Sequence, residues 1–499
     1  MPGQARVRII GVGVGVLTAE LSECAVFVRQ WCGLMRLNFP MALLRGGVAL
    51  TLVLSGCALA VSHADAMSLR EAVSRAVETH PSVNAARAGR RASGYELRIA
   101  QGALYPTVSL SADAGQQYVD RPNSLDPEDN QLWRPRRQAS VTVRQVLFSG
   151  HQRANEIYRA AAALDASALR VLSRAEVLAL DAVEAYIDYR RHAMLLSLAR
   201  ANVDRHTEIR SLVNELVGGG KAPESDSNQA AERVAAANAV LAQVQKAFLD
   251  ARAKFKQVIG IHPGATSPVP FPSNLPGSAR LAVEIGVGSN PAIEAARTRA
   301  EATRYELERA KGAHYPSVAL EGTATYGEDV NGIEGRNLDV TGKVVINWDL
   351  FDGHIRKNRE RALNERVMQH QLEADSQSRE IAEAIERAYA GFATGGDRVD
   401  SLRDQVQANN RTVSAYREEY QLGKRSLLDL LDGENSRFNS EFQYQSASAI
   451  YYFSAYQLLA HMGRLLTTLG VSAPAEALTG HVEQSKQSLF HIDIEPLRQ

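Results

Sequence analysis

The sequence predicts a mainly α-helical chain built from two similar halves, each of which carries a β-hairpin. Three observations support this fold class. Short motifs recur about 200 residues apart, four segments alternate apolar and polar residues, and two runs of more than 60 residues contain no proline. Recurring motifs indicate a duplicated unit, alternation is typical of strands, and long proline-free runs favour helices.

Composition narrows the possible partners. The 499 residues include 56 Lys+Arg and 56 Asp+Glu, and 45% of the chain is hydrophobic. Such a hydrophobic fraction is typical of folded proteins. Because the charges balance, the chain has no overall basic field to attract nucleic acid, and nucleic acid is not an expected partner.

The N-terminal region is typical of an export signal. Met41–Ala66 contains the basic Arg45, an apolar run over Val48–Val61 and the small-residue end Ala64-Asp65-Ala66. This order of a basic, an apolar and a small-residue region is that of a secretory signal peptide, which predicts cleavage after Ala66. We therefore expect residues 1–66 to be a pre-sequence and signal peptide.

Two alternatives remain open for this region. Leu54-Ser55-Gly56-Cys57 is similar to the lipobox at which bacterial lipoproteins are cut and lipidated, although the next residues stay apolar. A retained anchor is the second alternative, but the apolar run is shorter than the roughly 20 residues that a spanning helix needs. All three cysteines precede Ala66, so a chain cut there has no thiol to be affected by an oxidising compartment.

The duplication shows in two pairs of motifs. "QGALYPTVSL" begins at Gln101 and recurs as "KGAHYPSVAL" from Lys311, 210 residues later, with six of ten positions identical. "LFSGH" begins at Leu147 and recurs as "LFDGH" from Leu350, 203 residues later. Proline cannot continue a helix, so "YP" predicts a change from helix to strand and "LF(S/D)G" the return. The predicted junction residues are Tyr105, Pro106, Phe148, Gly150, Tyr315, Pro316, Phe351 and Gly353.

Four segments near these motifs alternate with period two. The first begins at Thr107, the second covers Ala139–Leu147, the third covers Val318–Tyr326 and the fourth begins at Leu338. Each is predicted to be a strand with one apolar and one polar face, of about the 9–11 residues that cross an outer membrane. A soluble sheet with one wet face has the same pattern. If the strands do span lipid, four cannot close a barrel, so several chains must share one.

The remaining sequence predicts helices. The longest are expected over Gln152–Val217 and His354–Leu422, with Gly391, Gly395 and Gly396 weakening the second. Helices of this length form coiled coils or bundles rather than globules. Further helices are expected over Ser68–Gly102, Glu224–Ile259, Ala292–Gly312 and Leu427–Leu469, the first of them opened by a capping box of Ser68 and Glu71.

Together with "YQLGKRSLLDLLDGENS", Tyr420–Ser436, these motifs make residues 68–472 similar to the TolC family of outer-membrane factors. The resemblance implies a mainly α fold with transmembrane β. Three chains of four strands each would form an outer-membrane β-barrel, continued across the periplasm by a long α-helical coiled-coil barrel. It also implies structural repeats over 67–279 and 280–472, with equatorial or peripheral segments at 261–279 and 473–499.

The resemblance places the functional residues at the turns between long and following helices. Glycines and their neighbours there would contact a periplasmic adaptor protein, namely Gly220, Lys221, Gly423 and Lys424. A gate at the inner end of the tube would comprise Asp429, Asp432, Tyr420, Arg425, Ser225 and Asp226. In this arrangement the two aspartates form rings, and the tyrosine and arginine link to the neighbouring coil through Ser225 and Asp226.

Elementary physics is compatible with the gate and with a simpler alternative. Asp429 and Asp432 are three residues apart and share a helical face, so a trimer would bring six carboxylates near one axis. Such a ring attracts cations and resists closure by repulsion. Alternatively, Ser426 and Asp429 begin a helix and Asp429 only opposes the helix dipole.

No catalytic chemistry is predicted. "GGGKAPES" lacks the first glycine and the Ser/Thr of a phosphate loop, and the 12 histidines show no metal-ligand spacing. The prediction is therefore a passive export channel with no cofactor or metal, not an enzyme. Its expected partners are outer-membrane lipid, the adaptor and an inner-membrane ABC transporter or proton-driven pump. Type I protein secretion is preferred over drug efflux, and a periplasmic coiled-coil scaffold with soluble hairpins is the rival of another class.

Overall fold

The computed structural model describes residues 66–120, 132–330 and 334–489. The predicted signal peptide, the lipobox and all three cysteines lie outside the described residues. So does most of the Pro- and Asp-rich loop of the first hairpin.

The described elements occur twice in the same order. Helices α1–α4 and strands β1–β2 form the first half, and α5–α8 with β3–β4 form the second. Equivalent elements match closely in length, since α1 and α5 have 11 residues, α2 and α6 have 22, and α3 and α7 have 67. The bounds are α1 Leu69–Thr79, α2 Pro81–Gly102, β1 Thr107–Val119, β2 Leu132–Phe148, α3 Gln152–Gly218, α4 Glu224–Ile259, α5 Ala279–Ser289, α6 Pro291–Gly312, β3 Ser317–Glu328, β4 Arg336–Asn347, α7 Ile355–Gln421, α8 Leu427–His461, α9 Leu465–Leu469 and α10 His481–Leu489.

The four strands form one antiparallel sheet in the order β1-β2-β3-β4, which confirms the two predicted hairpins. The hairpins also share a register. Thr107 lies opposite Arg144 in the first, and Ser317 lies opposite Asn347 in the second. These partners are related by the sequence offsets of 210 and 203, so the duplication extends to individual strand pairs.

Helix α3 is the central element of the helical part. It contacts α2, α4, α6 and α8, and alanines dominate its buried face. Small side chains let neighbouring helices approach closely, which explains how one helix is covered on several sides. Helix α7 has the same length but few buried residues, so much of its surface is open in the single chain. No helix in the described part of the chain is both long and apolar enough to cross a membrane.

Two helix predictions need correction, and one helix of the repeat was missed. The helix expected over Ser68–Gly102 is two helices, because Pro81 starts α2 and His80 caps it by accepting from the Ser82 N–H. The helix expected over Leu427–Leu469 ends near Gly463, whose φ of 70° stops it. Helix α5 was not predicted. The capping box of Ser68 and Glu71 is confirmed.

Met67, the 261–279 segment and the C-terminal tail pack against α3. Met67 forms an isolated bridge with Thr266, and Tyr186 donates to the carbonyls of Met67 and Ser267. The C-terminal helix α10 also lies on α3. These contacts place the 261–279 segment near the middle of α3, at Tyr186, and the C-terminal helix nearer the start of α3, at Asp165.

Candidate functional site at the helical tips

The two long helices end in identical turns. The N–H of Gly220 donates to the Val217 carbonyl and that of Lys221 to the Leu216 carbonyl, at 2.9 and 2.8 Å. The second turn repeats this pattern, with Gly423 donating to Tyr420 and Lys424 to Glu419. These are Schellman motifs, which need a left-handed residue after the helix. Gly220 and Gly423 supply it with φ of 69° and 71°.

The glycines at these turns are required by the backbone rather than by crowding. None of the described residues comes within 4 Å of a side chain built at either Gly220 or Gly423. Both turns are exposed. A surface with open space above two protruding turns is available to another protein.

Helix α8 begins as its sequence predicts. Ser426 is its N-cap and accepts from the Asp429 N–H at 3.1 Å. The carboxylate of Asp429 is not used in this bond and its side chain is 47% exposed. The capping alternative is therefore correct for Ser426, and it leaves the Asp429 carboxylate available for other interactions.

Arg425 is held by groups of its own chain. It donates to Glu419 at 2.9 Å, lies 4.3 Å above the Tyr416 ring and is 3.8 Å from Asp429. The hydrogen bond that Arg425 donates to the Glu419 carboxylate raises the pKa of Arg425 above its ordinary value. Sequence reasoning missed Glu419 and Tyr416, although both precede Arg425 by fewer than ten residues.

Tyr420 and Asp226 face one cleft. This cleft, of about 550 Å³, lies between the two turns and is also lined by Lys221, Gly423 and Arg425. Tyr420 is only 8% exposed, and its hydroxyl has no hydrogen-bond partner among the described residues. Burial raises the pKa of Tyr420 and the negative charge of Asp226 adds to that shift.

Ser225 and Asp432 have other neighbours. Ser225 lies 3.5 Å from the adjacent Asp226 carboxylate. Asp432 accepts from Arg233 of α4 at 3.2 Å, while its side chain remains 59% exposed. The structure thus brings Asp226, Tyr420 and Arg425 to one cleft and places Asp432 on an ion pair between α4 and α8.

A charged cluster behind the tip was missed from the sequence. Glu434 and Arg437 of α8 lie 2.5 Å apart, and Glu434 is 2% exposed. His206 of α3 is buried beside them. Burial raises the pKa of Glu434, whereas burial and neighbouring arginines lower that of His206. The spacing of Glu434 and Arg437, three residues apart on one helix face, is the signal that could have indicated this cluster.

The helix–strand junctions are left-handed turns held by aromatic and arginine contacts. Gly150 and His151 both have φ of 61°, and the Phe148 and His151 rings meet edge to face at 5.9 Å. The second junction repeats this arrangement at Phe351, Gly353 and His354, with 5.8 Å between the rings.

Each junction also contains one arginine that sequence reasoning did not single out. Arg153 donates to the carbonyls of Ala103 and Leu147, and Arg356 donates to those of Ala313 and Asp349. Each arginine therefore ties the end of a helix before the hairpin to the end of the strand after it. Their spacing of 203 residues was the available signal.

A four-stranded sheet with open edges, mounted on helices of 67 residues, is the fold of trimeric outer-membrane channels with a periplasmic helical barrel. A family model described as outer membrane efflux protein matches residues 72–261 and 287–464. The chain belongs to this family of outer-membrane channels, which are not enzymes. Its location is the outer membrane. Within the described ranges, no group of three or more His, Cys, Asp or Glu is placed to hold a metal ion.

Individual relatives agree with this family. The chain is 24% identical over 449 residues to the outer membrane efflux protein BepC of Brucella suis, covering 89% of this chain and 96% of BepC. It is 24% identical over 333 residues to protein CyaE of Bordetella pertussis, covering 65% and 69%. Among solved structures, the Campylobacter jejuni CmeC outer membrane channel aligns with a TM-score of 0.70 and 13% identity, covering 85% of this chain and 90% of CmeC.

Proposed function

We propose that the chain forms a passive homotrimeric export channel whose periplasmic end docks on an adaptor protein. The sheet is the observation that carries this proposal. Its edge strands β1 and β4 each pair on one side only, and apolar side chains such as Leu110, Val340 and Val344 are 73%, 74% and 61% exposed. Open edges and a large apolar face are costly in water, whereas a shared barrel in lipid satisfies both.

The helical tips are the proposed entrance. Gly220, Lys221, Gly423 and Lys424 form the adaptor-contact surface, which the twin exposed turns support. Asp429 and Asp432 place carboxylates in the constriction, and Tyr420 and Arg425 restrain it with Ser225 and Asp226 as partners. The cleft shared by Asp226, Tyr420 and Arg425 supports this assignment.

The proposed cargo system is type I protein secretion, driven by an inner-membrane ABC transporter. Support comes from the sequence form "GKRSLLDLLDGEN" at the second turn and from the short distance between the predicted signal and α1. Drug or small-molecule efflux by a proton-driven pump is the second candidate. The similarity of the chain to BepC, an outer membrane efflux protein, favours this second candidate.

The domain organisation completes the proposal. Residues 1–66 are removed on export, 67–279 and 280–472 are the two repeats, and 261–279 with 473–499 form a collar around the helices. The near-equal element lengths of the two halves support the repeat boundaries.

Membrane fractionation tests the channel. The mature protein is expected to need detergent for extraction from the outer membrane and to have the mass of three chains. A detergent-free soluble monomer or dimer would instead favour the periplasmic scaffold.

A gene deletion then separates the two cargo systems. Type I secretion predicts that a protein disappears from the culture medium while drug susceptibility stays unchanged. The opposite result, with greater susceptibility and unchanged secreted proteins, would favour efflux. Complementation with the wild-type gene is the control for both readouts.

A further inference from the structure

Gly102 has no reason within its own chain to be glycine. It is the last residue of α2, it does not have a positive φ, and none of the described residues comes within 4 Å of a side chain built there. Glycine disfavours a helix because it loses more conformational freedom than alanine. An unexplained glycine at an exposed helix end therefore indicates a close contact that the single chain does not contain.

Its counterpart in the second half shows what that contact is. Gly312 is related to Gly102 by the offset of 210, and it lies against Gly150 of the first half. A side chain built on Gly312 would come within 2.3 Å of the Gly150 carbonyl, and one built on Gly150 within 2.3 Å of the Gly312 carbonyl. Glycine is required at both positions because the two backbones touch.

The counterpart of Gly150 is Gly353, 203 residues later, and it is also open in the single chain. The contact of Gly150, after the first hairpin, with Gly312, before the second hairpin, is thus present within the chain. The matching contact would join Gly353, after the second hairpin, to Gly102, before the first hairpin. Both of these glycines are exposed in the single chain. A second copy of the chain would supply it.

The pairing of β2 with β3 within the chain can likewise be used to derive a pairing of β4 with β1 between chains. Both hairpins keep one register under the offsets, as Val108 opposite Val143 and Val318 opposite Ile346 show. Within the chain, β2 pairs with β3, with Val141 opposite Ala324. Adding 203 to a residue of β2 gives its counterpart in β4, and subtracting 210 from a residue of β3 gives its counterpart in β1. The pair of Val141 and Ala324 therefore becomes a pair of β4 with β1 in which Val344 lies opposite Ala114. By the same rule, Val143 opposite Gly322 gives Ile346 opposite Ala112.

We propose that neighbouring copies of this chain join in this register, with Val344 opposite Ala114, Ile346 opposite Ala112, and Gly353 against Gly102. The proposal rests on the proposed trimer and assigns the residues of its interface. The faces agree with this register, because these two strand pairs are apolar on both sides, whereas Lys343 falls opposite Gly115 and Asn347 opposite Ser111. A slip of one residue would place apolar side chains opposite polar ones.

The exposed Ile355 fits the same interface. Its counterpart Gln152 lies over Gly312, 2.7 Å from a side chain built there, whereas Ile355 is 68% exposed in the single chain. Seated on the neighbouring Gly102, Ile355 would lose this exposed apolar surface.

Cysteine cross-linking tests the register. The variant Val344→Cys with Ala114→Cys, oxidised in outer membranes, is expected to give linked dimers and trimers on a denaturing gel that disappear on reduction. The control Val344→Cys with Leu110→Cys is displaced by four residues, roughly 13 Å along the strand, which a disulfide cannot bridge. Each single-cysteine variant controls for incidental links.

The outcomes separate this proposal from the function. Linking of the displaced pair, or of neither pair while the particle keeps the mass of three chains, overturns the register but leaves the channel. A particle without that mass overturns the assembly and the interface together.

The glycine contact has a test of its own. Gly102→Ala is expected to lower the temperature at which the trimer dissociates in detergent, because the added methyl group separates the two backbones. Gly89→Ala, in the same helix and likewise open in the single chain, is expected to leave that temperature unchanged or raise it. Equal behaviour of the two variants would overturn the contact.

Discussion

The Arg425 guanidinium lies 4.3 Å from the centroid of the Tyr416 ring, and Glu419 accepts from its Nε at 2.9 Å. A neighbouring coil is therefore not needed to hold this side chain in place. Because a guanidinium has five N–H donors in a fixed fork, it can keep Glu419 and still donate elsewhere. This arrangement pre-orients Arg425 toward the cleft shared by Tyr420 and Asp226.

Loosening this region should open the channel. Tyr420→Phe with Arg425→Ser is expected to raise single-channel conductance in planar bilayers several-fold, because both proposed restraints are lost. The matched control is Arg403→Ser, an arginine of α7, the helix that contains Tyr420; its side chain is 51% exposed and pairs with Asp400. Unchanged conductance in the double variant would reduce Tyr420 and Arg425 to packing roles.

The two aspartates should control block by cations. Asp429→Asn with Asp432→Asn is expected to weaken block by divalent and trivalent cations, since the amides keep the shape but remove the charge. Arg233→Ala is expected to act in the opposite direction, because Arg233 now pairs with Asp432 at 3.2 Å. Block is measured as the half-inhibitory cation concentration in bilayers. Equal values in all three proteins would contradict a carboxylate ring.

The glycines of α7 should differ in their effect on stability. Gly391 has no described neighbour within 4 Å of an added side chain, so Gly391→Ala is expected to stabilise by about 0.5–1 kcal/mol. An added side chain at Gly395 meets Tyr451 at 3.0 Å, so Gly395→Ala is expected to lose that gain or destabilise. Thermal unfolding in detergent measures both. If Gly395→Ala stabilised the protein as much as Gly391→Ala does, the close contact of an added side chain with Tyr451 would be contradicted.

The same glycines illustrate how far the sequence predicts the fold. Period-two alternation and proline-free runs located all four strands and both long helices. They could not show that α7 passes unbroken through Gly395, because the reason is tertiary. Gly395 and Gly396 lie against Tyr451, whose ring stacks on Phe392 at 5.7 Å. Such contacts join residues more than 50 positions apart and leave no local pattern.

The candidate site was predicted from the resemblance to the TolC family. Gly220 and Gly423 were found in this way, and the positive φ at both turns explains why glycine stands there. The partners of the charged residues were not, because Glu419, Tyr416 and Arg233 are ordinary helix residues until the fold brings them close. Whether Ser225 and Asp226 receive Tyr420 and Arg425 stays a prediction.

Asp165 should hold the C-terminal helix in place. Its buried carboxylate accepts from the His481 N–H at 3.1 Å and the Val482 N–H at 3.3 Å, and so caps α10 from a distant helix. Loss of such a cap costs about 1 kcal/mol. Asp165→Ala is therefore expected to speed tryptic cleavage at Lys486 several-fold. The exposed Asp204 of the same helix is the control position, and equal cleavage rates would contradict the anchoring role.

Glu176 should make stability depend on pH. Burial raises the pKa of Glu176 to about 7, against the hydrogen bonds from the Leu466 and Leu465 N–H groups, which lower it. An unfolded glutamate releases its proton near pH 4.3. Between these values the folded chain keeps a proton that the unfolded chain has lost, so the contribution of Glu176 to stability is largest below about pH 4 and falls as the pH rises toward 7.

Glu176→Gln tests this dependence because glutamine stays neutral throughout. Between pH 5 and pH 8 the free energy of unfolding of the wild type is expected to fall by about 3 kcal/mol more than that of the variant. This is the order of magnitude that a pKa shift of this size gives. The free energy of unfolding in detergent is compared at both pH values. The exposed Glu184 of the same helix, changed to glutamine, should leave the wild-type difference intact. Parallel curves for wild type and Glu176→Gln would show that this carboxylate is charged in the folded chain despite its burial, and that the two N–H groups at the start of α9 suffice to hold it.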